Sequence, residues 1–150
     1  MMFVRTAGQR DVAAIRALLA ETWHATYDAI YGAPRVNEII EAWHAPQAVA
    51  RNIDQPEGEF LVADDGTQIA GMAFAIAADS GKTISLRQLY VRPSMQGRGV
   101  GGLLLDEIEG SFHDAEKVRL EVEEANAKAI AFYVAQGFVE VGKNDGVGGA

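Results

Sequence analysis

The amino-acid sequence predicts an α/β (α+β) fold, in which a mixed, mostly antiparallel sheet carries helices on both faces in the order β-α-α-β-β-β-α-β-α-β. Short turns join strands two, three and four, so these strands should be antiparallel. A helix separates strands four and five, which should therefore run parallel. Strand four, over residues 84–91, also changes the phase of its apolar side chains midway, which predicts a bulged and splayed strand.

Length and composition indicate one ordinary globular domain over residues 1–150. The chain is 49% hydrophobic and 23% charged, and it has no cysteine. Disulfides, thiolate zinc sites and a cysteine nucleophile are therefore excluded, and no metal site is predicted. The start of the chain does not read as a secretory leader, and no apolar run approaches the roughly 20 residues that span a bilayer. We expect a cytoplasmic protein that does not bind membranes.

The formal net charge is −8. An acidic surface disfavours nucleic acid as the main partner, because neutralisation of phosphates dominates that kind of affinity. The charge favours cationic small molecules through electrostatic steering, or it only keeps the protein soluble.

The first part of the chain predicts one strand and two helices. Phe3–Thr6 is the strand, and Pro46 interrupts the second helix before a further turn over residues 49–53. Residues 23–34 are aromatic and rich in turn formers. Apolar residues recur at helical spacing in both helices, namely Val12, Ile15, Leu18, Leu19 and Trp23 in the first and Val36, Ile39, Ile40 and Trp43 in the second.

A hairpin follows, with Asp65-Gly66 as its turn after a strand over residues 60–63. In the next strand, Gly71, Ala73 and Ala75 share one face. A face of small residues allows close packing, either by a helix or by a ligand.

The fourth strand slips in phase. Ile84 and Leu86 alternate correctly, and so do Leu89 and Val91, but the two pairs are out of step by one residue. A strand with one buried face needs a β-bulge near residues 87–88 to accommodate this slip. Alternatively, one face changes its partners along the strand.

The last part predicts a helix over residues 99–112, a strand over 118–122, a second helix and a strand over 138–141. Asn126 should cap the second helix, which runs to about Gln136 before Gly137. Residues 143–150 are rich in glycine and are expected to be flexible.

The segment from residue 86 to 102 runs from a strand through a turn and a glycine cluster into a helix. That layout presents free backbone N–H groups that can hold a phosphate. The P-loop pattern fails because no Lys-Ser/Thr pair follows the glycines. Gly97, Gly99 and Gly102 match the dinucleotide fingerprint, and Glu121 lies near the position of a ribose-binding acid. The context excludes a dinucleotide-binding site, since the motif starts well past Val91 and too little chain follows for a second nucleotide-binding half.

A third pattern, Gln/Arg-x-x-Gly-x-Gly/Ala, is matched by Gln96, Gly99 and Gly101. With it, the chain resembles the GNAT-type N-acetyltransferases, which bind acetyl-coenzyme A. The resemblance covers residues 3 to about 142. Further features in family order carry it: Val91-Arg92-Pro93, Leu120-Glu121-Val122, Asn126, Tyr133 and Gly137-Phe138.

The resemblance implies an acetyl-CoA site. The loop would face the pyrophosphate with its backbone N–H groups, and Arg98 would add charge or be solvated. The pantetheine arm would pair with the exposed backbone of strand four, where an N–H would also polarise the thioester carbonyl. The residues implied are Leu89, Tyr90, Val91, Gln96, Gly97, Arg98, Gly99, Val100, Gly101, Gly102, Asn126 and Tyr133.

The resemblance also implies direct attack of an amine on the thioester, with Tyr133 as the acid and Glu121 as the base. Tyr133 could instead be a packed aromatic residue, and Glu121 could face solvent. Gln88 stands where other members carry a glutamate, and an amide cannot act as a base. A water-relayed base that involves Glu123 or His24 stays open.

In the family, the acceptor pocket is built largely between the first two helices. Here that segment offers aromatic rings suited to an alkylammonium, namely Trp23, His24, Tyr27, Tyr31, Trp43 and His44. Alternatively, the two tryptophans are core residues. We expect a small-molecule amine as the acceptor. The alternatives are a protein N-terminal or lysine acetyltransferase and a non-catalytic acyl-CoA-binding module.

The sequence departs from the family pattern at its end, where no seventh strand can be identified. Either this strand is missing from the chain, or a neighbouring copy fills the gap in a homodimer.

Overall fold

The structure is a computed structural model, and it describes residues 2–143. The five strands are β1 (Phe3–Thr6), β2 (Gly58–Asp64), β3 (Ile69–Ala78), β4 (Thr83–Val91) and β5 (Lys117–Leu120). The five α-helices are α1 (Val12–Tyr31), α2 (Ala33–Trp43), α3 (Pro46–Ile53), α4 (Val100–Ser111) and α5 (Ala127–Ala135). In this part of the chain, no helix is long and apolar enough to cross a membrane.

The strands form one sheet in the order β1-β2-β3-β4-β5. Neighbouring strands are antiparallel from β1 to β4, while β4 and β5 are parallel. The hairpin turn is at Asp65-Gly66, where the Asp65 carboxylate accepts from the backbone N–H groups of Thr67 and Gln68, both at 2.8 Å. The predicted fold class and strand directions are confirmed.

Helices cover both faces of the sheet. Helices α1 and α3 pack on one face around Leu18, Leu19 and Met72. Helix α4 packs on the other, where a Cβ added to Gly71 would lie 2.9 Å from the Tyr90 carbonyl oxygen and 3.1 Å from Leu104. The small-residue face of β3 therefore packs against helix α4, which is the first of the two alternatives.

The bulge in β4 is where the phase slip predicts it. Phe74 pairs with Gln88, but the next residue, Ala75, pairs with Leu86, so Arg87 is the extra residue. The slip lets Ile84 and Leu86 share one face of the sheet with Leu89 and Val91.

Three sequence expectations were wrong. Helix α1 runs through the stretch that was expected to be turn-rich and ends only at Gly32, whose φ is +84°. Pro46 starts a third helix rather than a turn, because its fixed φ suits the first helical position. The predicted sixth strand over residues 138–141 does not form.

Residues 138–141 pair with none of the described strands, although β5 lies at the edge of the sheet. Val139 is 80% exposed and Val141 is 93% exposed, and neither pairs with β5. Alternating apolar residues favour an extended chain, but a strand also needs a neighbour that accepts its hydrogen bonds. The described order is therefore β-α-α-α-β-β-β-α-β-α. The expected flexibility of the C-terminus, beyond Lys143, lies outside the described residues.

Candidate active site

A cleft of about 920 Å³ opens between α1, the second half of β4, the glycine loop, the end of β5 and α5. Nearly all of the site residues expected from the sequence line it, namely Leu89, Tyr90, Val91, Gln96, Gly97, Gly99, Val100, Gly101, Gly102, Glu121, Asn126 and Tyr133. These residues come from positions up to 44 apart in sequence, so only the fold brings them together.

The cleft exists because two parallel strands separate. Pairing between β4 and β5 ends at Leu86 and Leu120, whereas β4 continues to Val91. Beyond that point, Leu89, Tyr90 and Val91 pair only with β3. Their opposite edge faces the cleft, where an extended ligand can accept and donate backbone hydrogen bonds.

The glycine loop leads into helix α4. Gly97 and Gly99 have φ values of +80° and +82°, a left-handed conformation that glycine adopts without strain. Within the described chain, no acceptor is found for the backbone N–H groups from Gly97 to Gly102. Together with the positive end of the helix dipole, this row of donors forms a site for an anion.

Gly101 lets two helices approach each other. A Cβ on this residue would lie 3.1 Å from the Phe132 ring of α5. The absence of a side chain here therefore keeps α5 against the start of α4, and it fixes the width of the cleft at this end.

Two polar side chains cross the loop end of the cleft. Gln96 donates from Nε2 to the Val91 carbonyl oxygen at 3.0 Å, and its Oε1 accepts from the Lys128 ammonium group of α5. For Arg98, the sequence left open added charge in the loop or a solvated side chain. Its side chain is exposed and lines a separate depression beside Asp65, so only its backbone belongs to the row of donors.

Tyr133 lies in the wall of the cleft, with its ring against Phe132 and Phe138 at centroid distances of 5.2 and 5.4 Å. Burial, with the nearby Tyr27 hydroxyl, raises the pKa of Tyr133 above its usual value. The hydroxyl therefore keeps its proton at physiological pH.

Asn126 connects α5 to α1. Its Oδ1 accepts from the Ala129 backbone N–H at 3.1 Å, which caps α5 as predicted. Its Nδ2 donates to the Tyr27 hydroxyl at 3.2 Å. Burial raises the pKa of Tyr27, and the Asn126 bond acts against this shift.

Glu121 directly follows β5, and it is exposed where it lines the cleft. Gln88 also lines the cleft and is buried. Glu123 is engaged elsewhere, because it accepts from the Tyr31 hydroxyl at 2.7 Å and this bond raises the pKa of Tyr31 to about 12. His24 also lies outside the lining and binds Asp28 at 2.6 Å.

The expected aromatic acceptor pocket does not form as a group. Of the six residues, only Tyr27 lines the cleft. Trp23 and Trp43 pack against each other in the core at 6.1 Å, as their helical spacing also allowed, and His44 is buried against Trp23 at 5.5 Å.

On this side, the wall of the cleft comes instead from α1, through residues that sequence reasoning missed, namely Thr22, Ala25, Thr26 and Ile30. Their helical spacing indicates that they share one face of a helix, but this can be recognised only once α1 is known to continue to Tyr31.

The Tyr90 side chain points away from the cleft into the core under α1. Its hydroxyl and the Trp23 indole nitrogen are both buried, and neither has a hydrogen-bond partner among residues 2–143. Burial raises the pKa of Tyr90. The Tyr90 and Trp23 rings lie 6.5 Å apart between centroids. The Tyr90 ring therefore packs in the core, while its backbone lies at the edge of the cleft.

Comparison with known proteins agrees with this geometry. Residues 24–149 match the family model described as an acetyltransferase (GNAT) domain.

Similar solved structures cover nearly the whole chain at identities that show the shared fold alone. PaiA N-acetyltransferase from Thermoplasma acidophilum, solved in complex with coenzyme A, has a TM-score of 0.88 at 22% identity, covering 97% of this chain and 94% of its own. AAC(6')-Iy, solved with the bisubstrate analog CoA-S-monomethyl-acetylneamine, has a TM-score of 0.67 at 16% identity, covering 96% and 95%. A GNAT-family acetyltransferase from Staphylococcus aureus Mu50 has a TM-score of 0.77 at 15% identity, covering 97% and 89%.

Proposed function

The chain belongs to the GNAT acetyltransferase family, and from that premise we propose that it transfers an acetyl group from acetyl-CoA to the primary amine of a small molecule. The observation that carries the proposal is the open edge of β4 beside the glycine loop. An extended thioester arm ending in a diphosphate requires this combination of backbone edge and anion site.

The residues present fit acetyl-CoA. The N–H groups from Gly97 to Gly102 suit the diphosphate, and there is open space around the Cα atoms of Gly97 and Gly99 for its oxygens. The edge from Leu89 to Val91 suits the amide groups of pantetheine, in the manner of an added strand. When bound, acetyl-CoA supplies an acetyl thioester whose C–S bond breaks as the amine nitrogen bonds to the carbonyl carbon.

The chain then has three tasks. A backbone N–H near Leu89 to Val91 stabilises charge on the carbonyl oxygen. Glu121, at the end of β5, takes a proton from the amine, directly or through water. Tyr133 donates its hydroxyl proton to the departing sulfur, and its burial in the cleft wall keeps that proton in place until then.

A small amine suits the acceptor side of the cleft. Tyr27–Asn126 and Tyr31–Glu123 hydrogen bonds join α1 to the loop before α5, which limits the space beside the cleft. The net charge of −8 attracts cations. The bisubstrate analog bound by AAC(6')-Iy contains an acetylneamine part, which is consistent with small acceptors in this fold.

Two measurements test the proposal. Calorimetric titration with acetyl-CoA should show binding, and no binding at millimolar cofactor would refute it. A screen of free-thiol release should then compare small amines, polyamines and peptides. Release with small amines supports the proposal, release with peptides alone indicates a protein acetyltransferase, and binding without release across the panel indicates a non-catalytic module.

A further inference from the structure

The cleft has cationic side chains at its two ends. Among the lining residues, Arg87 and Lys128 are the basic ones. Arg87 lies at the bulge, where its Nε donates to the Ser85 hydroxyl at 2.9 Å. Lys128 lies at the glycine-loop end, where its ammonium group donates to Gln96 Oε1 across the cleft.

Lys128 is placed where the local potential is positive. It is the second residue of α5, and the first turn of a helix disfavours a cation. The N-terminus of α4 and its row of N–H donors lie on the other side of Gln96. Two of the nearby acids have partners of their own, because Glu123 accepts from Tyr31 and Glu124 pairs with Lys143 at 2.8 Å.

The partner of Lys128 is a weak one for an ammonium group. Gln96 offers a neutral amide oxygen, whereas a phosphate oxygen carries a negative charge, so a bond to phosphate adds the attraction between two opposite charges. Gln96 can release Lys128 and still keep its own position, since its Nε2 remains bonded to the Val91 carbonyl oxygen at 3.0 Å.

We propose that Lys128 is the side chain that binds the diphosphate of coenzyme A, by exchanging Gln96 Oε1 for a phosphate oxygen. The flexible stem of lysine allows this movement without a shift of α5. The sequence left open whether Arg98 adds this charge or is solvated, and the exposed Arg98 residue lines the depression beside Asp65. The inference rests on the proposed function, because it requires that coenzyme A binds in the cleft.

The test is calorimetric titration of coenzyme A into the wild-type protein and three single variants that each remove one positive charge. Lys128→Gln should raise the dissociation constant roughly tenfold at low salt, since hydrogen bonds to charged groups are among the stronger ones. Arg98→Gln should raise it much less. Lys82→Gln is the matched control, because Lys82 is exposed before β4, at the end opposite the loop.

The loss in Lys128→Gln should shrink at high salt, because ions screen an exposed charge pair. It should persist with dephospho-coenzyme A, which retains the diphosphate but lacks the 3′-phosphate. Thermal melting verifies that the variants are folded, and Lys128→Arg should recover most of the affinity.

The proposal is overturned if Lys128→Gln binds coenzyme A as the wild type does, or if Arg98→Gln loses as much. It is also overturned if the effect disappears with dephospho-coenzyme A, since the contact would then be to the 3′-phosphate. Failure of the wild type to bind at all would refute the proposed function instead, so the two failures are distinguishable.

Discussion

Asn126 donates a hydrogen bond to the Tyr27 hydroxyl at 3.2 Å, and thereby joins the first turn of α5 to α1 across the mouth of the cleft. The same side chain caps α5 through its other amide atom. Asn126 thus sets the start of α5, the helix that carries Tyr133, and also the distance between α5 and α1.

Asn126→Ala should lower the free energy of unfolding by about 1–2 kcal/mol, because it removes the cap and the bond to Tyr27. Asn126→Asp should cost less, since a carboxylate oxygen still accepts from Ala129. Urea denaturation measures both variants. Equal losses would show that the cap contributes nothing measurable.

Tyr133→Phe should lower kcat by about 100-fold or more, within the range for loss of a general acid, and should change the affinity for coenzyme A much less. Tyr31→Phe is the control, because Tyr31 bonds to Glu123 outside the cleft lining. In the wild type, the raised pKa of Tyr133 means that kcat should not fall on the alkaline side between pH 7 and about 9. Full turnover in the phenylalanine variant would remove Tyr133 as the acid.

Glu121→Gln should lower kcat/KM for the amine by about 100-fold, because an amide cannot accept the proton of the acceptor. Glu123→Gln should have a smaller effect, since Glu123 is held by Tyr31 and does not line the cleft. Steady-state kinetics with one amine at saturating acetyl-CoA compares the two. The reverse order would assign the base to Glu123.

Gly99→Ala should lower the free energy of unfolding by about 1–2 kcal/mol, because alanine is strained at a φ of +82°. Gly110→Ala, in the last turns of the same helix, should raise it by roughly 0.5–1 kcal/mol, since alanine favours helix and its Cβ meets open space there. Thermal or chemical denaturation of both variants gives the comparison. A stabilised Gly99→Ala variant would contradict the left-handed start of α4.

His44 should make the protein less stable in mild acid. Burial lowers the pKa of His44 to about 4 from its usual 6.5. The neutral form is therefore favoured by folding, so its contribution is complete above pH 6.5 and is lost as the pH falls from 6.5 to about 4. The loss should reach roughly 3 kcal/mol.

Denaturation curves at pH 7.0, 5.5 and 4.5 measure this loss, with His44→Leu as the control. The variant should show a flatter dependence in this range, because leucine does not titrate. The substitution removes no side-chain hydrogen bond within the described residues, where neither ring nitrogen of His44 has a partner. Parallel curves for the two proteins would exclude His44 as the cause.

Local patterns predicted the parts of the fold that depend on local geometry. The phase slip before Leu89 predicted a bulge near residues 87–88, because a strand that keeps one buried face needs an extra residue to accommodate the slip, and the structure has this residue at Arg87. Asn126 was identified as a cap because an amide before a helix satisfies a free N–H.

The patterns failed where the outcome depends on distant partners. Helix α1 continues past Trp23 because Tyr27 packs on Trp23 at 4.4 Å and the helix lies against α2, contacts that outweigh the turn-forming composition. Val139 and Val141 have strand-like alternation, but they pair with no strand in the described part of the chain.

The sequence by itself predicted the family, through motifs in family order, and the bulge in β4, because a bulge depends on residues that are neighbours along the chain. Only the tertiary structure decided which side chains face the cleft. It placed Lys128 opposite Gln96 and turned Arg98 away, and it replaced the expected aromatic pocket with one face of α1. The physical reason is that side-chain direction follows from helix packing, and spacing along the sequence does not record how two helices pack.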